Sequence, residues 1–294
     1  MHAAQSMAAV CSSLRSGTER VQILRRILRA NPRVALALHG LRQAFAADRQ
    51  RMVMTPYGFK IAGNALMQAG AFEPEETALL SELLPQHDRF IDCGANIGFF
   101  SCLARHHGKP VLAIEPLAAN LRSLLANLDA NGWNDSEVVN AGLADTIGIG
   151  EIFGADTGAS MVRGWAGMPH NTLLRERVAL TTLDTLVADR FTGERLLIKV
   201  DVEGGEFALL QGAARTLARI PPPTWMVEIC LAENFPAGGN RRFVETFDLF
   251  FGKGYRAFAA KPGLPPVSRE QVLQWAMAGR AEPGGHNYLF QRST

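Results

Sequence analysis

The chain has 294 residues, 47% of them apolar and 20% charged, a balance expected of one large soluble domain with an appendage. No apolar run approaches the ~20 residues that a membrane-spanning helix needs, and the first residues lack the apolar core of a signal peptide. Cys11, Cys93, Cys102 and Cys230 show neither paired nor zinc-ligand spacing, so they read as free thiols of a cytoplasmic protein.

The formal net charge of +2 is unevenly distributed. Residues 1–51 carry nine arginines against Glu19 and Asp48, about +7, which leaves about −5 for the remainder. Val21, Leu24, Ile27 and Leu28, then Val34, Leu36, Leu38, Leu41 and Phe45, predict two short amphipathic helices around Asn31-Pro32. This segment reads as a basic helical extension with a solvated arginine face, and an acidic partner or a membrane surface is the alternative. No aromatic-interleaved arm accompanies the charge, so nucleic acid is not indicated.

Residues 52–64 predict a hairpin turning at Pro56-Tyr57-Gly58. Residues 74–84 follow as a helix with Pro74 in its first turn and Leu79, Leu80, Leu83 and Leu84 inward. The stretch Arg89 to Phe100 then reads as a buried strand, a glycine-bearing turn and the start of a helix over 97–107. Gly94 and Gly98 permit the tight turn and a close approach of backbone to ligand, and the new helix presents amides to the crevice. Asp92, at the strand end, opposes a pyrophosphate and suits a ligand with an ammonium and a sulfonium, such as S-adenosylmethionine. Ordering the turn is its plainer role.

Pro110 to Pro116 forms the next strand and ends in Glu115, roughly 20 residues past the glycines, where an acid can accept both hydroxyls of a ribose. The helix between the two strands completes one right-handed βαβ unit. The turn residues Gly94, Ala95, Asn96 and Gly98, with Asp92 and Glu115, together indicate an adenosine ligand. A helix over 117–131, capped at Asn131-Gly132, leads to a third strand and its exit over Val138 to Asp145. Asn140 and Asp145 in that stretch are the candidates for reading an adenine edge.

Residues 146–182 are irregular apart from a strand over 148–153, and their glycine-containing loops carry two acceptor-site candidates, Ser160 and His170. Leu196 to Glu206 is a fourth strand with a glycine turn into a helix over 206–219. Lys199 inside that strand requires a partner, and Glu228 in the next strand, 224–229, is the expected one, as a buried ion pair near the acceptor end. Asp201 and Glu203 fall on the sheet edge where open α/β sheets hold ligands. Either can steer an acceptor hydroxyl or take its proton, with Asp201 ahead of Glu203 and then His170; ordering the turn and the helix start is the competing role. A third oxygen ligand at clear spacing is missing, so no metal is expected. A helix over 240–252, a strand over 255–260, a helix over 268–279 and a last strand over 287–290 predict an antiparallel hairpin closing one edge of a seven-stranded, mostly parallel sheet.

Asp92-Cys93-Gly94-Ala95-Asn96-Ile97-Gly98, Ala113-Ile114-Glu115-Pro116 and Ile198 to Glu206 are, in order and spacing, similar to the FkbM family of S-adenosylmethionine-dependent methyltransferases. The resemblance runs from about Val53 to Phe290, and Gly205 departs from it where the family more often has alanine. It implies the Rossmann-like class I methyltransferase sheet, S-adenosylmethionine as cofactor, and O-methylation of a small-molecule, saccharide- or lipid-linked acceptor such as a sugar, glycolipid or natural product. The domain reading is a basic extension over 1–51 and a methyltransferase domain over 52–294, with 52–88 leading into the catalytic sheet of 89–294. A nicotinamide-dependent oxidoreductase and a non-catalytic adenosine-binding subunit are the alternatives.

Overall fold

The computed structural model describes residues 51–154, 158–167, 170–236, 238–281 and 285–293, so the basic segment 1–51, with its expected helices, lies outside the described residues except for Arg51. A short ribbon, β1 (Val53–Met54) and β2 (Lys60–Ile61), precedes helices α1 (Ala65–Ala69) and α2 (Pro74–Leu83). The core then alternates: β3 (Arg89–Cys93), α3 (Phe99–His106), β4 (Val111–Ile114), α4 (Ala118–Asp129) and β5 (Glu137–Val139). Next come β6 (Gly142–Leu143), β7 (Gly148–Phe153), α5 (His170–Leu173), β8 (Arg175–Thr181), α6 (Leu183–Val187), β9 (Leu196–Val200), α7 (Glu206–Gln211), α8 (Ala214–Leu217) and β10 (Thr224–Glu228). The chain closes with α9 (Phe243–Phe251), β11 (Arg256–Ala259), β12 (Pro266–Val267), α10 (Arg269–Ala278) and β13 (Asn287–Gln291). Among the described residues no helix is long and apolar enough to cross a membrane.

The main sheet has the order β12-β11-β13-β10-β9-β3-β4-β5. Its members β10, β9, β3, β4 and β5 run parallel, and β13 inserts antiparallel between β10 and β11. This is the expected sheet with one addition, the two-residue edge strand β12. Strands buried on both faces need no alternation, which is why β4 and β9 are almost unbroken apolar runs.

Three expectations are corrected. The stretch 138–145 is not one strand: β5 stays in the main sheet, whereas β6 joins a separate three-stranded sheet, β6-β8-β7. Strand β8 escapes the sequence reading because its arginines and glutamate lie exposed and only Val178 is buried, so no apolar period marks it. The helix expected over 206–219 is two helices, because the Asp184 carboxylate caps a fresh start. It accepts the N–H of Arg215 at 2.9 Å, and the N–H and hydroxyl of Thr216 at 2.7 Å each.

Period-two alternation divides the core between the sheet's faces. Ile91, Cys93, Ile198, Val200, Trp225 and Val227 pack on one face with Phe243, Phe247 and Phe250 of α9. Phe90, Leu197, Met226 and Leu289 pack on the other with Leu80 of α2, Phe99 and Leu103 of α3 and Leu124 of α4. Each such buried side chain contributes about 1.5–3 kcal/mol through removal of apolar surface from water. Asp92 pairs in register with Lys199, Lys199 with Met226, and Glu228 with Asn287. Alternation therefore brings Asp92, Lys199, Asp201, Glu228 and Asn287 to the α2–α3 face near the carboxyl edge.

Candidate active site

A cleft of about 630 Å³, open to solvent, runs along the carboxyl edge of the parallel strands. It lies where the connections diverge, with β4 on one side of β3 and β9 on the other, the usual ligand position in such sheets. The first wall is the turn after β3. Gly94 has φ +85°, and a Cβ there would lie 1.8 Å from the Asp201 carbonyl oxygen. The glycine thus lets the ends of β3 and β9 close on each other, with the Asp201 N–H bonded to the Cys93 carbonyl at 3.0 Å. The amides of Gly94 and Ala95 both donate to the Ile114 carbonyl at 3.0 Å, so the turn occupies them internally. Ala95 and Gly98 are accordingly part of the scaffold, while Gly94 and Asn96 line the cleft.

Glu115 forms the second wall. It is 4% exposed, and it accepts the N–H of Asn96 at 2.9 Å, the N–H of Leu117 at 2.9 Å and the Asn120 amide at 3.2 Å. Burial pushes its pKa up to about 7 against those donors. Leu117, Ala141, Leu143 and Ile152 supply an apolar slot beside it. An apolar slot with one oriented carboxylate at its rim can take a flat apolar group and hydrogen-bond a hydroxyl beside it. Asn140 and Asp145 do not line the cleft. The Asn140 amide donates to the carbonyls of Glu115 and Pro116 at 2.9 Å each, and Asp145 is exposed. Ala141, Gly142 and Leu143 stand in their place.

Behind the cleft lies a buried charged cluster. Asp92, 1% exposed, does not line the cleft; it faces α3 and accepts the Ser101 hydroxyl at 2.6 Å. Lys199, 3% exposed, reaches along its own strand to Asp201 Oδ2 at 2.7 Å, with Nζ 4.6 Å from the centre of the Phe100 ring. The expected Lys199–Glu228 ion pair is replaced by this one, and Glu228 hydrogen-bonds Asp201 instead. Burial favours the neutral Asp201, but Lys199 and the bond from Glu228 outweigh it and hold that carboxyl below its ordinary range. Burial and the neighbouring Asp201 push Glu228 well up, so it is the protonated partner.

Glu73 joins the cluster from the start of α2, in a left-handed backbone of φ 40°. Burial raises its pKa to about 7 although Lys199 opposes the rise. The sequence reading gave it no role, since only the tertiary fold brings it towards Lys199, Asp201 and Asp92. Among the described residues no group of three or more His, Cys, Asp or Glu side chains is arranged to hold a metal ion.

Residues 158–167 contribute Ala159, Ser160 and Met161 to the cleft lining. Ser160 is buried on the cleft lining, donates its hydroxyl to the Glu203 carbonyl and accepts the Val162 N–H at 2.8 Å. Glu203 also lines the cleft, and its Oε2 accepts the Trp165 indole N–H at 2.5 Å. Burial, then Asp201, raise the Glu203 pKa to about 7. The sequence reading assigns Trp165 no role; its signal is a lone aromatic inside Gly164-Trp165-Ala166-Gly167, in a loop of small residues. His170 opens α5, and its side chain lies outside the described residues.

A family model described as the methyltransferase FkbM domain matches residues 92–257. The chain belongs to the FkbM methyltransferase family. Like its family, this FkbM methyltransferase takes the methyl group from S-adenosylmethionine, and its sheet is of the class I type. Membership selects methyl transfer over the nicotinamide-dependent hydride transfer that the glycine turn left open.

No curated protein matches the chain. Solved structures similar to it include a TehB-like S-adenosylmethionine-dependent methyltransferase from Corynebacterium glutamicum (14% identity, 78% of this chain and 92% of that one, TM-score 0.39). Another is an S-adenosylmethionine-dependent O-methyltransferase from Thermotoga maritima (13% identity, 84% and 80%, TM-score 0.37). A third is Aeropyrum pernix fibrillarin with natively bound S-adenosyl-L-methionine (11% identity, 73% and 72%, TM-score 0.34).

Proposed function

We propose that this methyltransferase acts on a hydroxyl oxygen of an uncharged acceptor, of the sugar, glycolipid or natural-product type. The observation that carries the reading is Glu203: a carboxylate on the cleft lining, beside Asp201, with its pKa raised to about 7. A hydroxyl is a feeble nucleophile until its proton leaves, and a base poised near neutrality is matched to removing it. Asp201 is the poorer base, because Lys199 and Glu228 hold its charge in place. The order inferred from sequence is therefore reversed, with Glu203 as base and Asp201 fixing Lys199 and the turn. A carboxylate-rich edge repels an acceptor bearing phosphate or carboxylate next to the reacting oxygen.

Glu115 would hold the ribose diol of the cofactor, Ala141, Leu143 and Ile152 would flank its base, and Gly94 and Asn96 would border its amino-acid end. Bound S-adenosylmethionine supplies an electrophilic methyl group on a sulfonium. The protein's own part is to align the acceptor oxygen, receive its proton on Glu203 and exclude water under residues 158–167.

The test is calorimetric titration with S-adenosylmethionine, S-adenosylhomocysteine and NADH, followed by release of S-adenosylhomocysteine in the presence of a panel of hydroxylated acceptors. Binding of the first two, an oxygen-linked methyl in the product, and a loss of about 100-fold or more in kcat for Glu203→Gln are expected. A nitrogen- or carbon-linked methyl, or unchanged turnover by Glu203→Gln, overturns the reading.

A further inference from the structure

Three chain segments meet at one side chain above the reacting edge. Trp165, fully buried in the segment 158–167, donates its indole N–H to Glu203 Oε2 at 2.5 Å. Its ring stands edge-on to Phe235, with centroids 4.7 Å apart, and the next residue, Ala166, donates its N–H to the Asn234 carbonyl at 2.6 Å. On the other side the indole lies against the backbone of Gly204, where an added Cβ would come within 2.6 Å of the ring. The glycine following Glu203 thus makes room for an aromatic ring that the chain brings from 38 residues away.

The backbone around this indole is strained at three places. Ala166, Glu203 and Asn234 all have left-handed φ, 54°, 53° and 64°, and none is glycine. Such conformations are disfavoured for L-residues and persist where the surroundings enforce them, commonly at functional sites. Here Ala166 and Asn234 are tied to each other by their backbone bond, while the Glu203 backbone is held by the Ser160 hydroxyl on its carbonyl and its side chain by Trp165.

We propose that Trp165 is a positioning residue for methyl transfer: its indole N–H fixes the Glu203 carboxylate on the cleft lining, and its ring clasps residues 158–167 to residues 231–236 over the acceptor side. The proposal rests on the reading of Glu203 as the base. A phenylalanine would fill the same space, but only the indole offers a donor that aims the carboxylate. That donor favours the ionised form of Glu203, as Lys199 does, whereas burial, Asp201 and Glu206 favour the neutral one. The charges on the other two segments are engaged elsewhere: Arg163 lies over the Phe153 ring, and Glu233 faces His286 at 3.8 Å.

The test begins with proton–nitrogen correlation spectra of the isotope-labelled full chain across neutral pH. The chain has four tryptophans, and the indole signal missing in Trp165→Phe identifies Trp165. That signal is expected to titrate with a midpoint near 7 in the native chain and to stay still in Glu203→Gln, whose amide oxygen still accepts the bond. A signal that does not titrate, or that titrates equally in Glu203→Gln, overturns the proposal. Glu203→Gln retains Trp165 and its packing, so this comparison decides even where Trp165→Phe folds poorly. In turnover, the acid limb of the kcat profile is expected to move to higher pH in Trp165→Phe, with affinity for S-adenosylmethionine kept within about threefold. A fall in kcat with the limb unmoved marks a merely structural tryptophan and overturns it too. Full turnover by Glu203→Gln removes the base reading itself, and the indole titration, which survives that outcome, tells the two failures apart.

Discussion

Buried Lys199 and half-buried Asp201 form an ion pair of 2.7 Å within one stretch of chain, two residues apart on the sheet face that α2 and α3 cover. Removing the cation alone leaves the half-buried Asp201 without its counter-charge, held only by Glu228, with Asp92 and Glu73 close by. Lys199→Met is expected to cost up to about 3 kcal/mol of stability at neutral pH, the low end for a broken buried pair because water reaches Asp201. The double variant Lys199→Met, Asp201→Leu is expected to recover much of that loss, since it removes both charges together. Denaturant unfolding of the three chains checks this, and a double variant less stable than Lys199→Met contradicts it.

The role proposed for Glu115 makes cofactor affinity depend on pH. Its pKa is raised to about 7 by burial, and a ribose diol donates hydrogen bonds to the ionised form. Affinity for S-adenosylhomocysteine is therefore expected to tighten as pH rises through about 7. Glu115→Gln is expected to bind roughly 10- to 100-fold more weakly, as for loss of a hydrogen bond to a charged group, and to show no such pH dependence. Calorimetry at several pH values reads both effects.

Stability without ligand should change with pH in the opposite sense. Glu73, Glu115, Glu203 and Glu206 are each raised from 4.5 to about 7, chiefly by burial. A carboxyl whose folded-state pKa is raised contributes stability that is complete below its unfolded value and is lost as pH rises through the folded one. The Tm of the ligand-free chain is expected to fall between pH 4.5 and about 7. Scanning calorimetry across that window checks it, and Glu206→Gln should flatten the slope.

Two glycines in one turn should respond unequally to alanine. At Gly94 the new Cβ meets a backbone oxygen at 1.8 Å, and Asp201 cannot retreat without parting β3 from β9. At Gly98 it meets Leu124 Cδ1 at 2.4 Å, the end of a side chain that can rotate. Gly98→Ala is expected to cost about 1–2 kcal/mol from its left-handed φ plus some repacking. Gly94→Ala is expected to cost more, and thermal unfolding of both decides the order.

Much of the fold was legible because β3, β4, β9 and β10 are covered on both faces and so are nearly continuous apolar runs bounded by turn residues. Gly94 and Glu115 were legible for a related reason: a sharp turn and a strand-end acid leave a local mark. Asn140 drew attention as a polar residue in the right place, yet its amide is occupied by the carbonyls of Glu115 and Pro116, and the slot is built from Ala141 to Leu143. Apolar walls and backbone carry no signal that separates them from ordinary core.

The amino-acid sequence by itself determined the parallel core, the glycine turn and the row of acids at the strand ends, because period, turn chemistry and hydrophobicity act over a few residues. Only the tertiary structure decided that Lys199 pairs with Asp201 and not Glu228, that Asp92 faces α3 away from the cleft, and that Trp165 holds Glu203. Those outcomes depend on the register of β3, β9 and β10 and on burial under segments far apart in the chain. The distance between two charges and the water left around them, which set their ionisation, exist only once the whole sheet has closed.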